Sequence, residues 1–280
     1  MSKYKYAGII YNPTITMAAN LAGEIQSRLK QLNASAWLCS SWDEKKATES
    51  AEGTSLLISI GGDGTILKTA RMAIPWSIPI LGINLGKLGF LTELSAKDAV
   101  RSLERFMNGE GWIDKRAMIA ATVNAQKEDH TTHHALNDIT VARGQKPRVI
   151  NISVSVDGAR MTTYKSDGII MSTATGSTGY NLSCGGPIIH PASDDSVLLP
   201  IAAHLTLSAP LVLPAKSKTT MRVDFDHEAV LSVDGQLEIE LASGDFITIE
   251  RSPYSAHFLR MQPQNYFYGT LMQKLSRKKE

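Results

Sequence analysis

Residues 55–65 constrain the fold of this chain more than any other segment. Their sequence, SLLISIGGDGT, is an apolar run that ends abruptly in Gly61-Gly62-Asp63-Gly64-Thr65, and a helical pattern follows it. Three glycines can adopt positive φ angles and expose backbone N–H groups, while a helix N-terminus adds its own free N–H groups and dipole. The segment therefore predicts a strand-to-helix turn that binds phosphate, with an ordinary glycine-rich turn as the alternative.

Asp63 is the unusual residue of this turn, because a carboxylate among anion-binding amides repels phosphate. A carboxylate at this position is better suited to hold a hydroxyl group, to accept its proton, or to help order a metal ion. Asp63 therefore indicates chemistry on a hydroxyl group in addition to phosphate binding.

Strand-like and helix-like segments alternate over the first hundred residues. Apolar residues recur at helical spacing after Asn12-Pro13, and Ser95 begins another helical pattern that ends at Gly109. This alternation predicts a parallel sheet with helices on both faces, and ligands beyond the carboxyl ends of its strands, where Asp63 and Asn84 fall. The predicted strands are Tyr6–Tyr11, Ala34–Leu38, Leu56–Ile60 and Pro79–Ile83, and the apolar positions of the first helix are Met17, Leu21, Ile25, Leu29 and Leu32.

Beyond about residue 112, runs with a period of two or rich in β-branched residues replace the alternating pattern. Asp157-Gly158 and Asp234-Gly235 are strong hairpin signals. These features predict a second, mostly antiparallel β domain. Its predicted strands are Met118–Val123, Asp138–Val141, Val149–Val156, Ile169–Met171, Thr219–Phe225, Ala229–Val233, Gln236–Leu241 and Phe246–Ile249.

A second candidate site lies at residues 164–187, YKSDGIIMSTATGSTGYNLSCGGP, where small, hydroxyl-bearing and glycine residues are dense. Such a loop lets the backbone approach a ligand and offers donors and acceptors that suit ribose hydroxyls and a carboxamide. The alternative is a polar loop without a ligand. Asn137-Asp138 starts another strand; the pair either contacts a ligand or forms a simple Asx turn. Lys165 and Asp167 flank the loop and either bind ligand or form a surface charge pair.

Composition excludes several function classes. A net charge of +2 without an aromatic-interleaved basic stripe argues against nucleic-acid binding. Cys39 and Cys184 form neither a disulfide framework nor a zinc site, which together with the absence of a signal-like N-terminus predicts a cytoplasmic protein. The uncharged stretch 196–215 contains three prolines and predicts short buried strands, not a membrane span. His130, His133 and His134 are predicted to be a solvated strand end, not metal ligands.

Four blocks, in this order along the chain, resemble the NAD kinase family. GGDGTILKTAR at 61–71 is similar to the family's active-site loop, GINLGKLGFLTEL at 82–94 to its second glycine segment, and NDI at 137–139 to its Asn-acid pair. The fourth and most specific block is SDGIIMSTATGSTGYNLSCGGP at 166–187. GGDGT alone is shared with lipid kinases.

The resemblance implies an α/β plus all-β architecture: a Rossmann-like parallel-sheet domain at 1–110 and a β-sandwich NAD-binding domain at 111–263. The tail 264–280 is predicted, apart from the resemblance, to pack back on the first domain. The resemblance also implies ATP-dependent phosphorylation of the adenosine-ribose 2′-hydroxyl of NAD by a homotetramer or homodimer, with magnesium arriving on ATP and no metal site in the protein. Asp63 is implied as general base. The implied substrate-binding residues are Gly61, Gly62, Gly64, Thr65, Lys68, Asn84, Phe90, Asn137, Asp138, Arg148, Lys165, Asp167, Thr175, Thr178, Gly179, Tyr180, Asn181, Leu182, Ser183 and Gln236.

The chain departs from the family pattern at a few of these positions. Asp138 stands where glutamate is expected, Ala174 where proline is expected, Gly179 where alanine is expected, and Cys184 where alanine is usual. The shorter Asp138 makes its ribose contact the least secure. Lys68 reaches a phosphate or is simply solvated. The competing functions are a diacylglycerol-type lipid kinase built on the same loop, which would need an apolar groove for its substrate, and a non-catalytic NADP(H)-binding module.

Overall fold

The computed structural model describes residues 3–86, 89–124, 131–204 and 208–276. The chain forms two compact units. The first, called the N-terminal unit here, consists of Met1–Lys115 and Tyr254–Glu280; the second, called the β unit, is Arg116–Pro253.

The N-terminal unit is built on a parallel sheet with the strand order β2 (Ser35–Ser40), β1 (Tyr6–Tyr11), β3 (Leu56–Gly61), β4 (Ile80–Asn84). The end of β17 (Phe246–Arg260) joins β4 through the pair Phe258 and Ile80. A short strand, β5 (Leu94–Ser95), pairs with the other end of β4. The helices of this unit are α1 (Thr16–Gln31), α2 (Glu44–Ala51), α3 (Asp63–Ala73), α4 (Ala96–Met107) and α6 (Tyr266–Ser276). Helix α5 (Tyr180–Ser183) lies in the β unit.

Alternating side chains along β3 show that helices cover both faces of this sheet. Ile58 is fully buried in the cluster that α1 and α4 form with the strands. Its neighbour Ser59 points to the opposite face, where its hydroxyl accepts a hydrogen bond from Thr69 of α3 at 3.0 Å. The predicted parallel sheet with two covered faces is therefore confirmed.

Three details of the N-terminal unit differ from the sequence-based predictions. Met17, predicted on the apolar face of α1, is 53% exposed, because α1 begins at Thr16 and buries Leu21 and its helical neighbours instead. The polar helix α2 was not predicted, although Asp43 accepts a capping hydrogen bond from the Lys46 N–H. Ser95 precedes α4 as predicted, but its hydroxyl donates to Asp98.

Two antiparallel sheets with a common apolar core form the β unit. One sheet has the order β10 (Ala159–Ser166), β9 (Ile150–Val156), β14 (Thr219–Asp224), β17. The other has the order β13 (Leu211–Leu213), β12 (Ser196–Ile201), β11 (Gly168–Thr173), β8 (Asp138–Arg143), β15 (Ala229–Val233), β16 (Leu237–Leu241). Strand β6 (Trp112–Asn124) pairs with β7 (Thr132–Ala135). Both sheets contribute residues to one buried cluster, for example Ile152 and Val223 from the first and Val141 and Leu231 from the second. The prediction of an α/β unit followed by an all-β sandwich is confirmed.

The two predicted hairpins are present, and the aspartate and glycine of each have positive φ angles. Strands β7 and β10 were not predicted, and β17 continues eleven residues beyond the predicted end at Ile249. The unit also contains the short helix α5 (Tyr180–Ser183). Strands β6 and β17 contribute residues to both units.

Candidate active site

The carboxylate of Asp63, at the start of α3, is held by the backbone of another segment. The Phe90 N–H donates to Oδ2 at 3.0 Å, and the Leu91 N–H donates to Oδ1 at 3.2 Å. The side chain is half-buried. Since a carboxylate oxygen has more than one acceptor position, each oxygen can still accept a hydrogen bond from a ligand. The carboxylate is thus fixed in orientation and still able to accept a proton.

The glycines around Asp63 provide space, which differs from the role predicted for them. Gly62 has a φ of −103°, and neither Gly61 nor Gly64 has a positive φ. A Cβ on Gly61 would lie 2.8 Å from the Thr65 Cβ, and one on Gly89 would lie 2.6 Å from the Asp63 Cγ. The expectation of positive φ angles is wrong, because the turn enters α3 directly and needs close packing instead of left-handed backbone.

Asn84 lies beside this turn at the same edge of the sheet. Gly61, the last residue of β3, pairs in register with Asn84, the last residue of β4. Asn84 is buried, and its Oδ1 accepts a hydrogen bond from the Gly86 N–H at 3.0 Å. Thr65 is buried in the first turn of α3, two residues after Asp63, while Lys68 on the same helix is half-buried. The carboxyl ends of neighbouring strands therefore bring the predicted residues of this unit together.

In the β unit, the predicted pair Asn137 and Asp138 is held by an aspartate that was predicted only as a hairpin residue. The Asp234 carboxylate accepts hydrogen bonds from the N–H groups of Leu136, Asn137 and Asp138 at 3.0, 2.7 and 3.2 Å. The Asp234 N–H donates to the Asp138 carbonyl at 2.9 Å. The hairpin between β15 and β16 therefore fixes the start of β8.

Asp138 is buried close to a second acidic group. Burial, and after it the charge of Asp234, raises the pKa of Asp138 to about 6, while the hydroxyl of Thr140, which donates to it, acts in the opposite direction. Burial penalises the charged form and a neighbouring negative charge adds to that penalty. The proton on Asp138 is therefore gained and lost close to physiological pH.

Most hydroxyl groups at the end of β11 and in the loop after it donate hydrogen bonds to backbone carbonyls. The Thr173 hydroxyl donates to the Leu136 carbonyl at 2.6 Å, and the Ser177 hydroxyl donates to the Ala174 carbonyl at 2.7 Å. Asn181 is fully buried and donates to the carbonyls of Ser177 and Pro187. These bonds fix the shape of the loop.

The outer face of this loop carries the groups that are open to a ligand. Tyr180 is 47% exposed and shares a side-chain hydrogen bond with Cys184. Ser183 is exposed, Leu182 and Gly179 are half-buried, and Thr175 and Thr178 are buried. The structure thus brings Asn137 and Asp138 next to the predicted loop, because a Cβ on Gly176 would lie 2.7 Å from the Asn137 Cα.

The remaining predicted residues are more scattered. Asp167 pairs with Arg143 of the adjacent β8 at 2.9 Å, and Lys165 is exposed on β10, so the structure does not show the alternative of a charge pair between Lys165 and Asp167. Arg148 is exposed, and its carbonyl oxygen is 2.9 Å from the His227 Nε2. Gln236 is half-buried directly after the Asp234-Gly235 turn.

Sequence analysis missed three residues that support the site. Asp234 was identified only as a turn residue, Arg260 was not singled out, and neither was Arg116, which is buried and donates to the Thr175 hydroxyl at 3.3 Å. The signal that could have found Asp234 is its place two residues before Gln236. A lone arginine in a strand carries no comparable signal.

Within the described residues, no group of three or more His, Cys, Asp or Glu side chains forms a metal site. His133 and His134 lie in β7 and are half-buried, so the predicted solvated strand end is wrong for them; burial lowers the pKa of both. The Nδ1 of His134 is 3.0 Å from the Ser252 hydroxyl. His130 lies outside the described residues. Among the helices that the structure describes, none is both long enough and apolar enough to cross a membrane.

Comparison with known proteins gives matches over both units. The family model of the ATP-NAD kinase N-terminal domain matches residues 8–111, and that of the ATP-NAD kinase C-terminal domain matches residues 136–261. An NAD kinase of Dehalococcoides mccartyi (strain CBDB1) is 44% identical over 97% of this chain and 96% of its own length. An NAD kinase of Chloroflexus aurantiacus (strain ATCC 29366 / DSM 635 / J-10-fl) is 37% identical over 96% of this chain and 98% of its own.

Solved structures show the same fold. The crystal structure of an NAD kinase from Archaeoglobus fulgidus in complex with ATP has a TM-score of 0.76 and 27% identity, and the match covers 95% of this chain and 98% of that one. Yeast NADH kinase complexed with NADH has a TM-score of 0.87 at 23% identity, covering 99% and 89%. The second likeness concerns the fold alone.

Proposed function

The chain belongs to the ATP-NAD kinase family, and from this premise we infer that it is a phosphotransferase that uses ATP to phosphorylate NAD. We propose that the acceptor is the adenosine-ribose 2′-hydroxyl, so that the products are NADP and ADP. The comparisons support neither of the two alternatives, the lipid kinase and the non-catalytic NADP(H)-binding module.

The observation that carries the proposed mechanism is the fixed carboxylate of Asp63. Two backbone N–H groups orient it at the N-terminus of α3, where the helix dipole favours phosphate. We propose that Asp63 accepts the proton of the 2′-hydroxyl. An aspartate is too weak a base to ionise a free alcohol beforehand, so the proton moves late, as the bond to phosphorus forms. Positioning and charge stabilisation then supply most of the rate.

The phosphates of ATP are proposed to lie against the start of α3, near Gly61, Gly62, Gly64 and Thr65. Lys68, one turn further along the helix, is proposed to contact a phosphate oxygen. Asn84 and Phe90 lie at the same edge and complete this half of the site. Magnesium is proposed to enter with ATP and to offset phosphate charge; the oxygen atoms of Asp63 and Asn84 are the type of ligand that this ion prefers.

NAD is proposed to bind the β unit. Asn137 and Asp138, held by Asp234, are proposed to contact its hydroxyl groups. The exposed ring of Tyr180 is suited to stacking on a base or the nicotinamide. The proposed lining of the pocket is Thr175, Thr178, Gly179, Asn181, Leu182, Ser183 and Gln236, with Arg148, Lys165 and Asp167 as contacts from the same or a neighbouring subunit. A homotetramer or homodimer in the cytoplasm is proposed, and light scattering of the purified protein tests the oligomeric state.

The experiment is incubation of the full chain with ATP, magnesium and NAD, followed by detection of NADP with a NADP-specific dehydrogenase. The parent forms NADP, and diacylglycerol in place of NAD gives no phosphorylated product. Lipid phosphorylation without NADP would overturn the assignment, and NADP binding without turnover would favour the sensing module.

Asp63→Asn tests the role of the carboxylate. Asparagine keeps the size of the side chain but removes its basicity, and its NH2 group cannot accept one of the two hydrogen bonds from the N–H groups of Phe90 and Leu91. We expect kcat to fall by about 10² to 10⁴ while the affinity for NAD changes by less than about threefold. Asp43→Asn is the matched control, because Asp43 caps α2 and asparagine caps equally well. Nearly full kcat in Asp63→Asn would reduce Asp63 to a turn residue.

A further inference from the structure

Leu91 is joined by its backbone to Asp63 on one side and to a buried arginine on the other. Its N–H donates to the Asp63 Oδ1 at 3.2 Å, and its carbonyl accepts a hydrogen bond from the Arg260 Nη1 at 2.8 Å. The flanking residues 89–92 form no helix or strand, so the position of Leu91 is not set by regular secondary structure. The carbonyl and the N–H lie on the two peptide planes that meet at the Leu91 Cα, so a bond that holds the carbonyl restricts the N–H through only two backbone dihedral angles.

Arg260, the last residue of β17, is held tightly enough to serve as such an anchor. It is 6% exposed, its Nε donates to the Asp114 Oδ2 at 3.3 Å, and its Nη1 lies 3.5 Å from the Glu93 Oε2. The guanidinium carbon lies 4.9 Å from the centre of the Phe258 ring. Two carboxylates and an aromatic face therefore fix the orientation of the guanidinium group.

Glu93 ties the same loop to the end of β17 a second time. Its Oε1 accepts hydrogen bonds from the N–H groups of Met261 and Gln262 at 2.8 and 2.9 Å. Buried ion pairs contribute little net stability on average, because the cost of removing the charges from water offsets their attraction. Stability alone therefore gives no reason for this charged cluster beside the loop that orients Asp63.

We propose that Arg260 is a positioning residue for the phosphoryl-transfer reaction: it holds Leu91, and Leu91 in turn holds the carboxylate of Asp63 in the direction needed for proton transfer. This inference rests on the proposed function, since it concerns the residue proposed as the base. Arg260 itself touches no reacting atom. A lysine in its place keeps the charge but lacks the planar fork that reaches Leu91, Glu93 and Asp114 together.

Kinetics of Arg260→Lys and Arg260→Gln, alone and combined with Asp63→Asn, test the proposal. In the parent background, Arg260→Gln is expected to lower kcat by about 10-fold to 100-fold, which is the cost of moving a catalytic group by about 1 Å, and Arg260→Lys to lower it less. The KM for NAD stays within about threefold. In the Asp63→Asn background the same substitutions change kcat by less than about threefold, because the group that they position is already inactive.

A purely structural Arg260 would give a different result. It would lower kcat by the same factor in both backgrounds, or would leave kcat unchanged in a variant with the parent's melting temperature, and either result overturns the proposal. Arg28→Gln is the matched control, since Arg28 forms a surface ion pair with Glu104 in the same unit. Arg260→Lys keeps the test available if Arg260→Gln does not fold.

Hydrogen exchange provides a test that does not depend on which reaction the protein catalyses. The amides of Phe90 and Leu91 are expected to exchange at least about tenfold faster in Arg260→Lys than in the parent, while the amides of β3 keep the parent's rates. Unchanged exchange at these two amides contradicts the anchoring role even if the NAD kinase assignment is correct. Faster exchange in a protein that makes no NADP supports the anchoring role and refutes the proposed function instead.

Discussion

Adding one methyl group at Gly89 should disable Asp63 without altering the carboxylate chemically. The Cβ of Gly89→Ala would lie 2.6 Å from the Cγ of Asp63 and 2.7 Å from its Oδ2, below the 3.0 Å that side-chain carbon atoms maintain. An ordinary contact is at about 3.5 Å, so the carboxylate must move by about 1 Å. It cannot do so and keep the hydrogen bonds from the N–H groups of Phe90 and Leu91.

The expected loss follows from this displacement. A catalytic group misplaced by about 1 Å costs about 100-fold in rate, so kcat should fall by about that factor. Each hydrogen bond to a charged group contributes about 1.5 to 3 kcal/mol, so the unfolding free energy falls by at most about 6 kcal/mol if both are broken. NAD is proposed to bind the other unit, so its affinity should change by less than about threefold.

The assay is NADP formation coupled to a NADP-specific dehydrogenase, together with calorimetric NAD binding and thermal unfolding. Gly86→Ala is the matched control, because it adds the same methyl group three residues earlier, where no described residue other than its chain neighbours has an atom within 4 Å. A Gly89→Ala protein with nearly normal kcat and normal melting temperature would refute the argument that the carboxylate must occupy this position. Equal losses in both variants would show that the segment tolerates no added methyl group, whatever its distance from Asp63.

Two further predictions concern the β unit. Asp138 has a pKa of about 6 in the folded protein, against 3.8 for the ordinary side chain. As pH rises from 3.8 to about 6, the unfolded state loses this proton while the folded state keeps it, so the free energy of unfolding falls by about 3 kcal/mol over that range. Asp138→Asn should therefore raise the unfolding free energy at neutral pH, with a gain that shrinks as pH falls towards 4, while weakening NAD binding; denaturant titrations at several pH values measure it, and a gain independent of pH would contradict it. Tyr180→Ala should weaken NAD binding by about 1 to 3 kcal/mol with little effect on saturated turnover, and an unchanged KM would assign Tyr180 to packing.

The fold of this chain could be predicted where a local pattern determines it. Leu21 and Ile25 of α1, or Ile58 of β3, are buried where their periodicity places them. The hairpins at Asp157 and Asp234 follow from turn chemistry alone. Prediction failed where local signals are weak: α2 is too polar to show an apolar face, and the second half of β17 was not identified as a strand.

The candidate site was predicted less completely, because its supporting contacts join distant parts of the chain. Asp234 reaches the backbone of Asn137 across 97 residues, and Arg260 reaches Leu91 across 169. The sequence near Asp234 indicates a hairpin but not which strand start that hairpin will meet. Strand β15 pairs with β8 in the folded protein, and this pairing places the Asp234 carboxylate within hydrogen-bonding distance of the N–H groups of Asn137 and Asp138.

The contacts that orient Asp63 show why one part of the site is hidden from sequence and another is not. Phe90 and Leu91 act through their N–H groups, which nearly every residue type possesses, so their identity carries no information about this role. Gly89 is different. A side chain at this position would overlap the Asp63 carboxylate, so the position of that carboxylate requires a glycine 26 residues further along the chain. Gly89 has no positive φ, so its backbone conformation does not require glycine; the close approach of the Asp63 carboxylate, the proposed base, does.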